Sequence, residues 1–235
     1  MPVPVLTEEP AVAGSSSSSS IPYVAPFALF LILLATARYL AFLGEWEFVL
    51  RIALLTAALL IFSRQVISFR TQAPVGSVLL GVAVFAIWIA PDTLIPGYRS
   101  HWLFQNSITG TTATSIDQAL LGSTFVLVLR SLRAVVLVPI IEELFWRAWL
   151  LRWLVTHRFA TLPLGSWTWS AVVISSLLFA SEHGPFWEVG LIAGLAYNWW
   201  MIRTKSLGDC ILAHAVTNGC LCAWVVYSGN WSYWL

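Results

Sequence analysis

Hydrophobic residues fill long, almost uninterrupted stretches of this chain, and polar residues gather between them. A helix that spans a bilayer needs about 20 mostly apolar residues. We predict spans at about residues 22–43, 47–62, 75–90, 133–155, 167–182, 186–202 and 207–227, with a shorter helix at 119–132. The pattern therefore predicts an all-α, polytopic transmembrane helical bundle of about seven or eight helices.

Two polar stretches divide the chain. Residues 1–20 end in a serine run without hydrophobic periodicity, which predicts a disordered N-terminal tail. Residues 91–117 form the longest predicted loop. We therefore divide the chain into the tail, N-terminal transmembrane helices with the polar loop at 21–117, and a transmembrane core at 118–235. No basic region precedes the first span, so we expect that span to be retained and not cleaved as a signal peptide.

Composition agrees with the span pattern. Hydrophobic residues make up 59% of the chain and charged residues only 10%, whereas soluble domains carry about 25% charged residues. Lipid must therefore cover the surface that polar groups cannot, and the 14 tryptophans suit a membrane interface. The net charge of +1 gives no sign of a nucleic-acid partner.

Basic residues in the short loops predict the orientation. Lys and Arg follow the second, fourth and sixth spans, and such residues concentrate on the cytoplasmic side. We therefore expect a multi-pass protein of the cell (inner) membrane with a cytoplasmic N-terminus and an external C-terminus. Arg130 and Arg133 fit this arrangement poorly.

Several ionisable side chains lie inside the predicted spans. One such group at mid-membrane costs roughly 2.5–3.5 kcal/mol on insertion scales, so those that occur commonly line a functional cavity. Glu143 and Arg147 are four residues apart and share a helix face, which predicts an ion pair with a supporting role. Glu142 points about 100° away and has no evident counter-ion, which suits a general base. The alternative is that all three only hold helices together.

Two histidines and one asparagine extend this polar set. His183 precedes Gly184-Pro185, a helix-stop signal, so its ring can point into a cavity at a helix end. His214 and Asn218 are four residues apart and share a face. A carboxylate next to a water can activate it for attack on a peptide carbonyl, and imidazole and amide N–H groups can stabilise the resulting oxyanion. For each residue alone, an interfacial or interhelical hydrogen bond is the simpler interpretation.

The three motifs together carry a family resemblance. Glu142-Glu143-x-x-x-Arg147, Phe179-x-x-x-His183 and His214-x-x-x-Asn218 occur in that order. The region from about 130 to 225 resembles the CAAX prenyl endopeptidases of the Ras-converting type and the related bacteriocin-processing proteins.

The resemblance implies a four-helix catalytic core and a metal-free peptide hydrolase without a cofactor. In it Glu142 activates water, His183 is the second-motif histidine, and His214 and Asn218 stabilise the oxyanion. Arg147 supports the glutamate pair. The implied substrate is a membrane-anchored protein or peptide, cleaved near its C-terminus.

Other interpretations remain open. Two histidines and a glutamate can hold zinc, although the H-E-x-x-H helix of zinc proteases is absent. Cys210, His214 and Asn218 form a stripe that a thiol enzyme would use. A transporter is also considered, but no inverted repeat of broken helices is evident. A non-catalytic scaffold or immunity protein would use the same pocket for binding.

The predicted spans also place His183 and His214 at different depths in the membrane, with a difference of roughly 10–15 Å.

Overall fold

The regular elements of the structure are helices. The computed structural model describes residues 19–112, 114 and 118–234, so the tail predicted at 1–20 lies almost entirely outside the described residues. The main helices, named α1 to α8 in chain order, are Ile21–Ala35, Ala37–Leu43, Trp46–Ser63, Pro74–Leu94, Thr124–Trp153, Trp169–Ser181, Trp187–Thr204 and Leu207–Ser228. The predicted all-α bundle of seven to eight helices is confirmed.

The lengths and surfaces of these helices are those of a membrane protein. In the described part of the chain, α3, α4, α5 and α8 are long and apolar enough to cross a bilayer. Helices α1 and α2 meet at a 70° bend and can form one further, broken span. Large apolar side chains such as Leu60, Ile61 and Leu79 are 60–70% exposed. Lipid is the environment in which such a surface is stable.

Two predicted element boundaries were wrong. The segments 119–132 and 133–155 form one helix, α5, with 30 residues. Pro139 does not interrupt it, because the backbone takes a wider π-helical turn at Arg133–Leu137 immediately before the proline. Such a turn accommodates a residue that has no N–H and crowds the preceding carbonyl. The span predicted at 22–43 bends after Ala35, where the Thr36 hydroxyl donates to the Ile32 carbonyl (2.7 Å), a bond that tends to bend helices.

Close packing joins the N-terminal helices to the predicted core. At Gly81 in α4, an added Cβ would lie 2.5 Å from the Ala213 carbonyl oxygen of α8. The Thr217 hydroxyl donates to the Gly81 carbonyl oxygen at 2.9 Å across the same contact. Small residues that let helix backbones approach are typical of membrane helix pairs. Helix α1 packs on α5 through a stacked Phe27–Phe145 ring pair with centroids 3.9 Å apart.

A buried ion cluster fastens the segment after α4 to the start of α7. Arg99 donates from Nη1 to the Pro185 carbonyl oxygen and to Glu188 Oε1, both at 2.6 Å. Its Nε lies 3.1 Å from Asp92 Oδ1, and the Tyr233 hydroxyl donates to Asp92 Oδ2 at 3.0 Å. Arg99 is only 8% exposed. This cluster fixes the Gly184–Phe186 turn, which follows directly after His183.

Candidate active site

One cavity receives all four residues that the sequence assigned to chemistry. It has a volume of about 330 Å³ and is lined by Glu142 from α5, His183 beyond the end of α6, and His214 and Asn218 from α8. Apolar walls surround these groups: Phe30, Leu31, Leu34, Trp88, Val138, Phe179, Phe186, Leu221 and Trp234. Three separate helical segments therefore direct their polar side chains into one largely apolar space.

Glu143 lies behind the cavity and is held by two partners. Its Oε2 faces Arg147 Nε at 3.3 Å, so the predicted pair is present. Its Oε1 lies 2.8 Å from His214 Nδ1. Because a carboxylate accepts, Nδ1 carries the hydrogen, and the Nε2 side of the ring remains for other contacts. The contact between Glu143 and His214 joins two helices that are far apart in sequence, and no local pattern predicted it.

Arg147 is enclosed by aromatic rings as well as by Glu143. Its guanidinium carbon lies 4.4 Å from the Phe179 ring centroid and 5.2 Å from that of Tyr197. Tyr197 also stacks on the His214 ring, with centroids 5.1 Å apart, and donates its hydroxyl to Thr217 at 2.8 Å. The rings and the ion pair together fix the position of His214.

Glu142 differs from its neighbour in its surroundings. It is 6% exposed and lines the cavity, and its Oε2 has no hydrogen-bond partner among the described residues. Adjacent residues on a helix point about 100° apart, so Glu143 faces its protein partners while Glu142 faces the cavity. A π-helical turn at Leu144–Leu150 follows the two glutamates, and such turns are frequent at functional sites.

His183 is fixed by the helix that precedes it. Its Nδ1 lies 2.8 Å from the Phe179 carbonyl oxygen, and its ring packs edge-on against Trp88, with centroids 5.1 Å apart. Because a carbonyl only accepts, Nδ1 donates, and in the neutral ring Nε2 is then an acceptor. A Cβ added at Gly190 would lie 3.1 Å from the ring atoms Cγ and Nδ1. The absence of a side chain at Gly190 therefore makes room for the His183 ring.

Asn218 lies one turn beyond His214 on α8. Its Nδ2 donates to the Ala134 carbonyl oxygen of α5 at 2.8 Å. An amide NH₂ group has two hydrogens, so this bond orients the side chain and leaves a second N–H. The two residues share a helix face and both line the cavity, as their spacing in the sequence predicted.

The predicted difference in depth does not keep the two histidines apart, because both line one cavity. Helix α6 has 13 residues, which gives it a length of about 20 Å, too short to cross a bilayer. It ends at Ser181, and the chain turns back through Gly184–Phe186 into α7. His183 therefore lies in the turn between α6 and α7, and its ring lines the cavity shared with His214.

Sequence reasoning also missed residues that line the cavity. Arg130, Arg133, Glu182 and Tyr197 all do so. The two arginines did give a signal, because they disagreed with the loop-charge rule. Cys210, by contrast, does not line the cavity: it is 0% exposed, and its Sγ lies 3.8 Å from the Tyr197 carbonyl oxygen. The stripe considered for a thiol enzyme therefore does not form a site.

Comparison with known proteins supports the resemblance carried by the motifs. The model of the family described as "Rce1-like: Type II CAAX prenyl endopeptidase Rce1-like" matches residues 123–220. The match makes this segment, somewhat less than half of the chain, similar to that family. No curated protein and no solved structure matches the chain. The matched segment contains α5, α6, α7 and most of α8, and with them the three motifs. The chain is thus a membrane protein whose segment 123–220 is similar to the Rce1-like protease family.

Proposed function

We propose that the protein is a glutamate-dependent intramembrane endopeptidase in which Glu142 activates the attacking water. The observation that carries the proposal is the Glu142 carboxylate, which lies in one cavity with His183, His214 and Asn218 and has an oxygen without a protein partner in the described part of the chain. A positioned carboxylate that takes a proton in the transition state typically contributes about 10²–10⁴-fold to a rate.

The chemistry follows from the donors and acceptors present. Glu142 takes one proton from water, and the water oxygen bonds to the scissile carbonyl carbon, whose oxygen becomes an oxyanion. The second N–H of Asn218 donates to this oxyanion, and a hydrogen on Nε2 of His214, the ring nitrogen that faces away from Glu143, donates to it as well. Glu142 then returns its proton to the amide nitrogen as the C–N bond breaks. His183, with Nε2 as an acceptor, orients the water.

Glu143 and Arg147 act through His214 in this scheme. Glu143 fixes the orientation of the ring through its contact with Nδ1. Arg147 compensates the remaining charge of Glu143 in a region without solvent. We assign both residues a positioning role.

The cavity walls support a membrane-anchored protein or peptide as the substrate, cut near its C-terminus. Leu31 and Leu34 of α1 line the cavity and are also 39% and 40% exposed, so the cavity borders the lipid-facing surface. A chain held in the bilayer reaches the glutamate from that side. The proposed location is the cell inner membrane.

The first experiment compares the ends of membrane proteins in cells that express the wild type, Glu142→Gln or Glu45→Gln at equal levels. Glu45 bonds to Ser123 and does not line the cavity, so it controls for the loss of a carboxylate. New C-terminal ends that appear with the wild type and Glu45→Gln, but not with Glu142→Gln, establish proteolysis and identify substrates. Identical ends in all three, with folded protein in the membrane, contradict the proposal.

Two other candidate functions predict different results in the same cells. A zinc-dependent protease loses activity when treated with a chelator and recovers with added zinc. In the described part of the chain no three His, Cys, Asp or Glu side chains converge as a metal site would require. If the protein is a scaffold or an immunity protein, the Glu142→Gln variant still binds its partner protein and still has the biological effect of the wild type.

A further inference from the structure

A second carboxylate lines the same cavity and has no role in the proposed reaction. Glu182 is the residue at which α6 ends, directly before His183, and it is exposed as well as lining the cavity. Glu142, by contrast, is only 6% exposed. Glu182 therefore lies at an open edge of the cavity, while Glu142 lies in its buried part.

Three features of this position make a negative charge at Glu182 unfavourable. The carbonyl groups at the C-terminal end of a helix carry partial negative charge, so an anion is disfavoured there. The carboxyl groups of Glu142 and Glu182 interact electrostatically, and like charges repel each other. The cavity walls are largely apolar and solvate a charge poorly. A residue that opposes local stability in this way, at the edge of a cavity, is typical of a functional position.

The groups near Glu182 compensate its charge only in part. Trp146 and Arg147 both act favourably on its carboxylate. However, Arg147 pairs with Glu143 at 3.3 Å, and the indole Nε1 of Trp146 completes no hydrogen bond in the described part of the chain. No ion pair joins Glu182 to any of the described residues. This edge of the cavity can therefore accept one further positive charge.

We infer that Glu182 is a specificity residue of this site and binds a Lys or Arg side chain of the substrate within a few residues of the scissile bond. The inference rests on the proposed function, because it places the scissile bond at Glu142. Lys and Arg side chains suit this place, since their methylene stems can lie along apolar walls while the charged group reaches the open edge. Basic residues commonly flank the apolar anchors of membrane proteins, so Glu182 directs cleavage to the end of such an anchor.

The test uses full-length protein in detergent micelles and three pools of fluorescent, N-palmitoylated peptides. The pools have the same mixed apolar sequences around one central position, which holds Lys, acetyl-lysine or Glu. Acetyl-lysine keeps the stem of the Lys side chain and removes its charge. Binding is measured by fluorescence anisotropy in the Glu142→Gln background, in which no cleavage is needed and Glu142 cannot attract the cation. Cleavage is measured in the background with Glu142 intact.

We expect the Lys pool to bind at least about tenfold more tightly than the acetyl-lysine pool, since a hydrogen bond between charged groups is strong in a largely apolar site. Glu182→Gln abolishes this ratio by weakening Lys binding alone, and in cleavage it raises KM for the Lys pool. Glu182→Asp keeps part of the ratio, and Glu182→Lys reverses the preference in favour of the Glu pool. The control Glu45→Gln keeps the ratio, because Glu45 bonds to Ser123 and does not line the cavity. Unchanged binding of the acetyl-lysine pool checks that each variant is folded.

The outcomes separate this inference from the proposed function. Glu142-dependent cleavage without a preference for Lys, or with a preference that is unchanged in Glu182→Gln, overturns the inference and leaves the protease standing. A Glu182-dependent binding preference without Glu142-dependent cleavage does the reverse. If Glu182→Gln lowers kcat equally for the Lys and acetyl-lysine pools and leaves the binding ratio intact, Glu182 takes part in proton transfer and the inference is wrong.

Discussion

The family match divides the molecule into two regions that contribute differently to one cavity. The matched segment, residues 123–220, supplies Glu142, His183, His214 and Asn218. The helices before it supply apolar wall residues from α1 and α4. The side chains proposed to react thus come from helices with recognisable motifs, while part of the enclosure comes from helices whose sequence carries no motif beyond hydrophobicity.

The difference follows from what each region must do. A catalytic group needs a particular side chain at a particular place, and such a requirement leaves a pattern like the spacing of His214 and Asn218, the proposed oxyanion donors. A helix that lines the cavity on one side and faces lipid on the other needs only apolar side chains of suitable size, and many sequences provide them. One exception is the Arg99 cluster, a polar connection from the unmatched region to the turn that follows His183.

The largest expected effect is in the matched segment, at Glu142. Glu142→Gln keeps the size of the side chain but removes the base, so we expect kcat to fall by about 10²–10⁴-fold. The thermal unfolding midpoint in detergent should stay the same or rise, because the substitution removes a buried carboxyl group with an unpaired oxygen. Turnover of an identified substrate and thermal unfolding of the same preparation check both parts. A variant with more than half of wild-type activity contradicts the role given to Glu142.

The neighbouring Glu143 should respond in a different way. Glu143→Gln leaves Arg147 buried without a counter-ion and loosens His214, so we expect destabilisation by about 3–5 kcal/mol together with a loss of activity. Denaturant unfolding in micelles measures the first effect. The double variant Glu143→Gln/Arg147→Met should recover stability but not activity, because His214 still lacks its carboxylate. Equal stability of the wild type and Glu143→Gln would contradict this account.

These two glutamates also show how far the sequence could lead. The geometry of a single helix was sufficient to separate Glu142 from Glu143 and to pair Glu143 with Arg147. It could not reveal that Glu143 also holds His214, because that contact depends on how α5 and α8 pack. The π-helical turn before Pro139 was equally hidden, and with it the turning of Arg133 into the cavity. Local spacing predicts partners on one helix, while contacts between helices require the fold.

An intermediate effect is expected at Arg99, in the unmatched region. Arg99→Gln removes the bonds to the Pro185 carbonyl and to Glu188, so the turn next to His183 loses its support. We expect activity to fall by roughly tenfold, with a loss of stability of about 1–3 kcal/mol because the buried partners of Arg99 are left without a hydrogen-bond donor. If the residue acts only through stability, lowering the assay temperature restores activity. If it positions His183, kcat stays low at every temperature at which the variant is folded.

The smallest effect is expected at Cys210, inside the match but outside the cavity. Its thiol is fully buried against the Tyr197 carbonyl, so Cys210→Ala removes one sulfur from a packed contact and no group from the site. We expect activity within about twofold of the wild type and a stability loss near 1 kcal/mol, the size of a small deletion in a core. A matched Cys222→Ala variant removes a thiol that does line the cavity. If Cys210→Ala abolished turnover while Cys222→Ala did not, a thiol mechanism would replace the glutamate one. Activity that withstands both substitutions excludes a mechanism that depends on the thiol of Cys210 or Cys222.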